Sequence, residues 1–387
     1  MKKIFSIAAA LLCVCGINAQ QFVIEGKIPG LKQGTPIKVA TSERGRDKIA
    51  EGMAADGTFR ITGTVSSPTM CEITLGTGNE EKDLMDSSIE LMLDNSNITI
   101  EAEHVDSLPP SFCFGPMGLQ REARLKISGG TTQKEYLEYR AAMRPLEIAK
   151  SIAHYNLWVA REPGRTAERE AQLEKIFDNA EKACNEANRK FIEQHPTYAI
   201  SLYKWCAAME EQYAYTAKEL DDIWASVQPA ADKVRLAALK KGIDENRKRL
   251  RNTLWTDFTA IAPDNTKHKA SEWVKPGEWA VIDFWASWCG PCRAAIPHVR
   301  EMWKKYKKVN FLAVSLDRKD ADWRKAMEQE KMEWTQLCLP TDLAKPVTEA
   351  YNIQGIPYML VINDKGEIMF AGHDPAAVEA MLESASK

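Results

Sequence analysis

The chain has 387 residues, of which 44% are hydrophobic and 27% are charged, and its formal net charge is −3. This composition is that of an ordinary globular protein, and the small net charge gives no sign of a surface for nucleic acid or anionic membranes. A chain of this length predicts two or three domains.

The chain opens with the layout of a secretory signal peptide. Lys2 and Lys3 precede an apolar run, and small residues then lead to Ala19. The apolar run is too short to span a bilayer, so the pattern predicts a signal peptide over residues 1–19 that is removed to leave Gln20 first. A buried N-terminal helix is the alternative, but Gln20 leads directly into strand-like sequence.

Cys15 raises the question of a lipid anchor. Lipid attachment to a cysteine usually requires a small residue just before it, whereas Val14 precedes Cys15. No later stretch of the sequence is long and apolar enough for a transmembrane helix. We therefore expect a chain that is exported to the periplasm, with a lipid-anchored form as the less favoured alternative.

Residues 20–128 carry the pattern of a small all-β domain. Short runs rich in Val, Ile and Thr, such as "QFVIEGKI", "TFRITGTV" and "NITIEAE", are separated by Gly, Pro, Asn and Asp. Strands of this length and spacing predict a small sandwich or barrel, and Asp56-Gly57 is typical of a tight hairpin turn. The sequence contains no recognisable catalytic constellation here, so the role of this domain stays unassigned.

Residues 129–250 predict a helical segment. Glycine becomes rare after "SGGTT", and apolar residues recur at helical spacing along one stripe, namely Leu173, Phe177, Ala180, Cys184, Ala187 and Phe191. His195-Pro196 should end this helix, because the residue before a proline disfavours the helical conformation. A second stripe consists of Ala199, Leu202, Cys206, Met209 and Tyr213. Two antiparallel helices joined by a tight turn fit this pattern.

Two cysteines of these helices are candidates for a structural disulfide. Cys184 and Cys206 lie at similar distances from Pro196, and a rise of about 1.5 Å per residue would place them nearly level. We therefore hypothesise a Cys184–Cys206 disulfide. The alternative is two buried free cysteines, which pack well as small apolar groups.

The stretch "FWASWCGPCRAAIP" at residues 284–297 contains a Cys-x-x-Cys pair. The buried-strand run before it requires a helix to begin near Cys289, where unpaired N–H groups and the helix dipole stabilise a thiolate. Cys289 is then the attacking sulfur, and Cys292, one turn later, is placed to resolve a mixed disulfide. A zinc site needs about four ligands, and no second such pair is near in the sequence. A permanent crosslink is also disfavoured, because a short loop with Gly and Pro is suited to opening and closing.

Asp283 is a charged residue in a strand that is otherwise apolar, since Ile282 and Phe284 flank it. A buried carboxylate should have a raised pKa, which suits it to exchange a proton with Cys292. The alternative is a structural acid that is hydrogen-bonded to nearby donors.

The stretch "VIDFWASWCGPCRAAIP" closely resembles the active-site strand and helix of thioredoxins, including the acid six residues before the first cysteine and the helix-kinking Pro297. The stretch "YNIQGIPYMLVINDKGE" resembles the thioredoxin segment that carries the cis-proline, which would be Pro357 after Ile356. The strand and helix between them are typical of TlpA/ResA-like exported members. The resemblance covers residues 251–387 and implies an α/β thioredoxin-like domain. The whole chain is then multidomain, in a layout seen in TlpA-like proteins.

The resemblance also implies a substrate-binding surface. In this family the loop at Ile356 and Pro357 packs beside the dithiol and pairs its backbone with the substrate strand. Trp288, Gly290 and Pro291 would complete that surface. The resemblance implies neither a metal nor a cofactor.

One departure from the family concerns a lysine that thioredoxins carry on the strand beside the buried acid. The corresponding stretch here is "AVSLD", with Val314 near that position. The loss of this ammonium should raise the pKa of Asp283 further, because no charge compensates its desolvation.

The resemblance implies an exported thiol–disulfide oxidoreductase that reduces disulfides of client proteins, since Gly290-Pro291 is the thioredoxin dipeptide. In an oxidising periplasm such a reductase would need a membrane thiol–disulfide electron donor. Two alternatives stay open. One is an oxidase or isomerase on the same fold, and the other is a binding module formed by residues 20–250, with the dithiol as a redox-controlled latch.

Overall fold

The computed structural model describes residues 21–42, 46–76, 87–111, 115–159 and 166–385. The predicted signal peptide and Cys15 lie outside these ranges. Contacts divide the chain into two compact units, of which the first comprises residues up to 204 together with 229–236, and the second comprises residues 205–228 together with those from 237 onwards. The helical stretch therefore contributes residues to both units.

In the described residues, the strands of the first unit form two four-stranded sheets. These strands are β1 (Phe22–Lys27), β2 (Pro36–Thr41), β3 (Lys48–Met53), β4 (Thr58–Gly63), β5 (Thr69–Leu75), β6 (Ser87–Leu93), β7 (Asn97–Glu101) and β8 (Lys126–Gly129). One sheet has the order β4-β1-β7-β8 and the other has the order β3-β2-β5-β6. All neighbours are antiparallel except β1 and β7, which are parallel.

The two sheets share one hydrophobic core. Ile24 and Ile98 from one sheet and Val39 and Ile73 from the other are fully or almost fully buried in it, as expected where alternate residues of each strand face inward. A tight turn at Asp56-Gly57 joins β3 to β4, and Gly57 adopts a positive φ of 71° that favours glycine. Of the small sandwich or barrel that the sequence predicts, two sheets around one core correspond to the sandwich.

The first unit also contains helices α1 (Met117–Glu122), α2 (Thr131–Val159) and α3 (Ala167–Gln194), and a 3₁₀ helix at Val105–Ser107. Helix α3 ends at Gln194, directly before His195-Pro196, as predicted. Helices α4 (Ala199–Ala208) and α6 (Lys233–Asn246) pass from one unit into the other, and α5 (Ala217–Val227) belongs to the second.

The predicted Cys184–Cys206 disulfide is not formed, because the thiol of Cys184 is free and buried. Burial raises the pKa of this thiol, and the charges of Lys150 and Glu147 on α2 also act on it, so Cys184 lies beside α2. Cys206 belongs to the second compact unit. The prediction assumed that α3 packs against the helix that follows it. Helix α3 packs instead against α2. Lys150 of α2 and Glu181 of α3 form an ion pair of 2.6 Å between the two helices.

The second unit contains a seven-stranded sheet in the described residues, of order β10-β9-β13-β12-β11-β14-β15. Its strands are β9 (Thr259–Ile261), β10 (Lys267–Lys269), β11 (Trp279–Trp285), β12 (Val309–Ser315), β13 (Thr335–Cys338), β14 (Tyr358–Ile362) and β15 (Ile368–Gly372). Its helices are α7 (Gly290–Lys305), α8 (Asp320–Gln329), α9 (Thr341–Ala350) and α10 (Pro375–Ala385), with a 3₁₀ helix at Ala270–Glu272. Strand β11 lies between the parallel β12 and the antiparallel β14.

Each face of this sheet covers a hydrophobic core. The dithiol-side core contains Val281 and Trp285 of β11 together with Cys289 and Cys292, whereas the opposite core contains Ile282 and Phe284 among its members. Successive residues of a strand point to opposite faces. Asp283 therefore points toward the dithiol-side core.

Residues that precede the predicted domain start at 251 complete the opposite core. Tyr213 is 4% exposed there, in the same cluster as Phe258 and Tyr351. The backbone N–H of Tyr213 donates to the carbonyl of Arg249, and that of Arg251 donates to the carbonyl of Tyr215. The thioredoxin-like sheet thus shares its core with residues of the preceding helical stretch. Within the described ranges, no helix combines the length and apolarity that a membrane span requires.

Candidate active site

The cysteine pair lies where β11 gives way to α7. The chain turns through Ala286 and Cys289, whose backbone groups form a 3.1 Å hydrogen bond, and α7 begins at Gly290 with Cys289 as its N-cap. A disulfide joins Cys289 to Cys292, and the backbone N–H of Cys292 donates to the sulfur of Cys289 over 3.2 Å. The predicted position of Cys289 at a helix N-terminus is confirmed. Pro297 lies inside the same helix, as the sequence suggested.

The disulfide is buried beneath an exposed rim. Cys289 is 5% exposed and Cys292 is 2% exposed, so Cys289 is the more accessible of the two. Trp288 is 69% exposed, and Gly290 and Pro291 are exposed as well. The predicted substrate-contacting residues of this stretch are therefore exposed and adjoin Cys289 in the chain.

Asp283 is buried on the same face of the sheet as the cysteines. The residue is 4% exposed, and one of its carboxylate oxygens has no hydrogen-bond partner among the residues that the structure describes. Burial raises the pKa of Asp283 from 3.8 to about 7, because desolvation disfavours the charged carboxylate. The alternative interpretation of Asp283, a structural acid that is hydrogen-bonded to nearby donors, does not fit this environment.

The strand register corrects the assignment of Val314. Val314 is paired with Phe284, and both lie in the opposite core, whereas Ala313 is paired with Asp283 and lies in the dithiol-side core. The residue that stands beside the acid is therefore Ala313. The side chain of Ala313 carries no ammonium either. The predicted departure from the thioredoxin pattern therefore holds, with Ala313 in place of Val314.

The loop before β14 lies against the sulfur of Cys289. The peptide bond between Ile356 and Pro357 is cis, as the resemblance implied. The carbonyl oxygen of Ile356 lies 3.5 Å from the sulfur of Cys289, and the Ile356 side chain packs against both cores. Residues that are distant in the sequence thus meet at one sulfur atom.

Asp317 is a site residue that the sequence did not reveal. It is 3% exposed, and its carboxylate accepts hydrogen bonds from the backbone and hydroxyl of Ser287, at 2.8 and 2.6 Å, and from the hydroxyl of Ser315 at 2.7 Å. Ser287 lies two residues before Cys289, so Asp317 fixes the turn that carries the cysteine. An acid directly after the strand beside the active-site strand was the signal that could have indicated it.

His373 is a second residue that the sequence did not reveal. Its Nδ1 lies 2.6 Å from the carbonyl oxygen of Pro357. The contact depends on β15 lying beside β14, and no local pattern in the sequence carries that information.

Among the described residues, no group of three or more His, Cys, Asp or Glu side chains is arranged to hold a metal ion.

A cysteine pair at a helix N-terminus, a buried acid behind it and a cis-proline loop against its sulfur define a thioredoxin-like thiol–disulfide oxidoreductase domain. Residues 277–368 match a family model described as Thioredoxin-like, and residues 22–136 match one described as Domain of unknown function (DUF4369). Thioredoxin H-type from Fagopyrum esculentum is 40% identical over 108 residues, which cover 26% of this chain and 72% of that protein. The chain belongs, through its C-terminal domain, to the thioredoxin-like family.

Two further similarities concern the same part of the chain. Thiol-disulfide oxidoreductase ResA from Oceanobacillus iheyensis is 30% identical over 94 residues, which cover 24% of this chain and 47% of that protein. The chain thus spans about half the length of this relative. The thioredoxin domain of a thiol-disulfide oxidoreductase from Bacteroides vulgatus is 25% identical, with a TM-score of 0.34 over 35% of this chain and 98% of that structure.

Proposed function

We propose that this protein is an exported enzyme that reduces disulfides of client proteins through Cys289 and Cys292. The observation that carries the proposal is the position of Cys289, whose sulfur accepts the N–H of Cys292 at the start of α7. This donor and the positive end of the helix dipole stabilise a thiolate there. Cys289 is accordingly assigned as the nucleophile.

In the first step, the Cys289 thiolate attacks one sulfur of a client disulfide. A bond forms between the two sulfurs while the client S–S bond breaks, and the second client sulfur leaves as a thiolate that takes a proton from solvent. The product is a mixed disulfide. The residues assigned to bind the client chain are Ile356, whose carbonyl oxygen lies 3.5 Å from the sulfur of Cys289, and the exposed neighbours of that cysteine, Trp288, Gly290 and Pro291.

In the second step, Cys292 resolves the mixed disulfide. Its thiol gives a proton to Asp283, and the resulting thiolate attacks the sulfur of Cys289, which restores the enzyme disulfide and expels the client thiolate. The proton on Asp283 then passes to the departing client sulfur. A pKa raised to about 7 suits Asp283 to accept and return a proton near neutral pH.

The cycle transfers two electrons from the enzyme to the client, so a reductant must restore the dithiol. We assign this role to a membrane thiol–disulfide electron donor, because an oxidising periplasm supplies no reducing buffer. The N-terminal pattern of two lysines and an apolar run supports export. Gly290-Pro291, the thioredoxin dipeptide, supports the reducing direction.

The reduction potential of the Cys289–Cys292 pair tests the direction. It is measured by equilibrating the full chain with defined ratios of oxidised and reduced dithiothreitol or glutathione. A value near that of thioredoxin, about −270 mV, is expected for a reductase. A value near that of DsbA, about −120 mV, would contradict the reducing direction and favour an oxidase or isomerase.

Client capture tests the assignment of the two cysteines. In cells that produce the Cys292→Ser full chain, the mixed disulfide on Cys289 cannot be resolved, so thiol-sensitive adducts should accumulate in the cell envelope. The Cys289→Ser chain is the matched control and should give none. If neither variant forms adducts, the client-reductase model loses its support.

A further inference from the structure

His373 lies at the end of the sheet that carries the cysteine pair. Pairing of Phe284 with Tyr358 and of Met359 with Gly372 brings the residue after Gly372 to the same end as the cysteines. The exposed ring of His373 packs edge-on against Tyr358, with ring centroids 5.4 Å apart. Its position is therefore fixed by the strand that leads out of the active-site loop.

The hydrogen bond from His373 to the loop has a defined polarity. Its Nδ1 lies 2.6 Å from the carbonyl oxygen of Pro357. A carbonyl oxygen only accepts hydrogen bonds, so Nδ1 carries the proton and donates it. His373 thereby holds the peptide group that joins Pro357 to Tyr358.

The neighbouring peptide group faces the reactive sulfur. The carbonyl oxygen of Ile356 lies 3.5 Å from the sulfur of Cys289, so a client sulfur bound to Cys289 brings its own chain alongside this loop. Gln354 and Gly355 are exposed, which leaves the approach to the loop open. Extended polypeptides recognise such backbone segments through main-chain hydrogen bonds. A small disulfide without peptide groups has no such bonds to make.

If His373 had only a structural role, its replacement would mainly affect folding. Its ring is exposed, so replacing it leaves no buried imidazole site to collapse and should change folding little. The position of the Ile356 backbone, in contrast, depends directly on where the next peptide group is held. Loss of the His373 bond should therefore affect recognition of the client chain more than folding.

We propose that His373 is a positioning residue that makes extended polypeptide disulfides better substrates than small disulfides. Its Nδ1–H holds the Pro357 carbonyl and so keeps the Ile356 backbone aligned for the client chain. The inference rests on the thiol–disulfide exchange proposed above. It adds a substrate preference and the residue that sets it.

The test compares two substrates across four forms of the full chain. One substrate is a disulfide of two identical extended peptides, and the other is a small aromatic disulfide. The proteins are the wild type, His373→Ala, His373→Asn and the control His268→Ala, which removes a half-buried histidine from β10 at the opposite edge of the sheet. In His373→Asn, the amide nitrogen occupies the branch position of Nδ1 and can donate to Pro357.

Loss of one hydrogen bond should lower the rate constant of His373→Ala toward the peptide disulfide by about 3- to 10-fold. The rate toward the small disulfide, the Tm and the reduction potential should stay at wild-type values. His373→Asn should recover most of the loss, and His268→Ala should react like the wild type. Equal losses on both substrates, no loss on the peptide, or no recovery in His373→Asn would each overturn the inference.

Running the exchange in both directions separates this inference from the proposed function. If the wild type only oxidises the reduced peptide, the reducing direction is wrong, but the same comparison of variants still tests His373. If the wild type reacts with the small disulfide and with neither form of the peptide, the proposed preference is wrong.

Discussion

The two units treat a buried charge in opposite ways. Arg140 of α2 is 6% exposed, and its guanidinium nitrogens donate to Glu122 and Glu147 over 2.7 to 2.9 Å. Asp283 of β11 is 4% exposed, yet one of its oxygens has no hydrogen-bond partner among the described residues. A paired buried charge contributes to one fixed structure, whereas an unpaired one opposes folding unless it takes up a proton.

The pKa values of the carboxyl groups at the two sites shift in opposite directions. Burial opposes ionisation of Glu122, but the hydrogen bonds and charges of Arg140 and then Arg144 outweigh it, so the pKa of Glu122 is lowered. Nothing opposes burial at Asp283, whose pKa is raised. The carboxylate of Glu122 is therefore held in its charged form, whereas the pKa of Asp283 lies near neutrality.

Breaking the paired site should have the largest effect on stability. Arg140→Met leaves the half-buried Glu147 without the ion pair to Arg140, and it leaves the more deeply buried Glu122 with Arg144 as its remaining ion-pair partner among the described residues. We expect a loss of about 3–5 kcal/mol in the free energy of unfolding near neutral pH, measured with urea. Arg60→Met is the control, because its partner Glu25 is exposed and the loss should stay below about 1 kcal/mol.

The pH dependence of this loss checks its origin. The pKa of Glu122 is lowered on folding, so its ion pairs contribute fully above the unfolded value of 4.5 and are lost as pH falls through the folded value. The difference between wild type and Arg140→Met should shrink in acid. A difference that is constant with pH would show that lost packing, not charge, dominates.

Removing the unpaired acid should have the opposite effect. The folded chain keeps a proton on Asp283 up to about pH 7, whereas the unfolded chain loses it near 3.8, so stability falls as pH rises between these values. The shift corresponds to about 4 kcal/mol. Asp283→Asn should therefore be more stable than wild type above neutrality, by at most this amount, and similar to it near pH 4 in urea unfolding.

The same variant should be a poorer enzyme. Without Asp283 to accept its proton, Cys292 should resolve a mixed disulfide at least about 100-fold more slowly near neutral pH, as followed by release of a labelled peptide thiol. A variant that is both more stable and fully active would contradict the proton transfer.

Asp317 offers a satisfied acid within the same unit as Asp283. Asp317→Asn keeps the shape of the side chain but replaces one of its two oxygens with an amide nitrogen. A single oxygen must then accept the hydrogen bonds from Ser287 and Ser315 that two oxygens now share. Hydrogen bonds to charged groups contribute about 1.5–3 kcal/mol, and we expect a loss in this range in urea unfolding. Ser287→Ala removes one of these bonds and should cost about 1.5 kcal/mol, at the low end of that range. If Asp317→Asn were as stabilising as Asp283→Asn, the contrast between the two acids would be wrong.

Giving Asp283 a partner should change its pKa; because Ala313 is fully buried, a longer side chain there also costs stability, and the comparison of Lys with Met accounts for that cost. Ala313→Lys places an ammonium on the residue in register with Asp283, which should lower the pKa of the carboxyl by about one unit or more. The pH profile of mixed-disulfide release reports this shift. Ala313→Met adds similar bulk without charge and should leave the profile in place.

The sequence predicted the parts of the site that are local. Cys289 and Cys292 share one helical turn, and Asp283 precedes them on a strand whose apolar neighbours mark it as buried. Pro357 was found through a motif of its own. These residues need no knowledge of strand order.

The parts that depend on strand pairing could not be read from the sequence. A shift of one residue in register moves every side chain to the other face, which is why Val314 was assigned a place that Ala313 occupies. The contact of His373 requires the β14–β15 pairing. The supposed Cys184–Cys206 link failed for a similar reason, because helical spacing gives the faces of a helix but not which neighbour covers each face.

Tyr213 in the core beneath the redox sheet has a consequence for where this chain can be divided. A recombination breakpoint near residue 251 would separate this aromatic ring from Phe258 and Tyr351 and leave a vacancy beneath the sheet. A fragment that keeps this core intact therefore needs the residues of the second unit that precede 251, namely 205–228 and 237–250, together with those that follow.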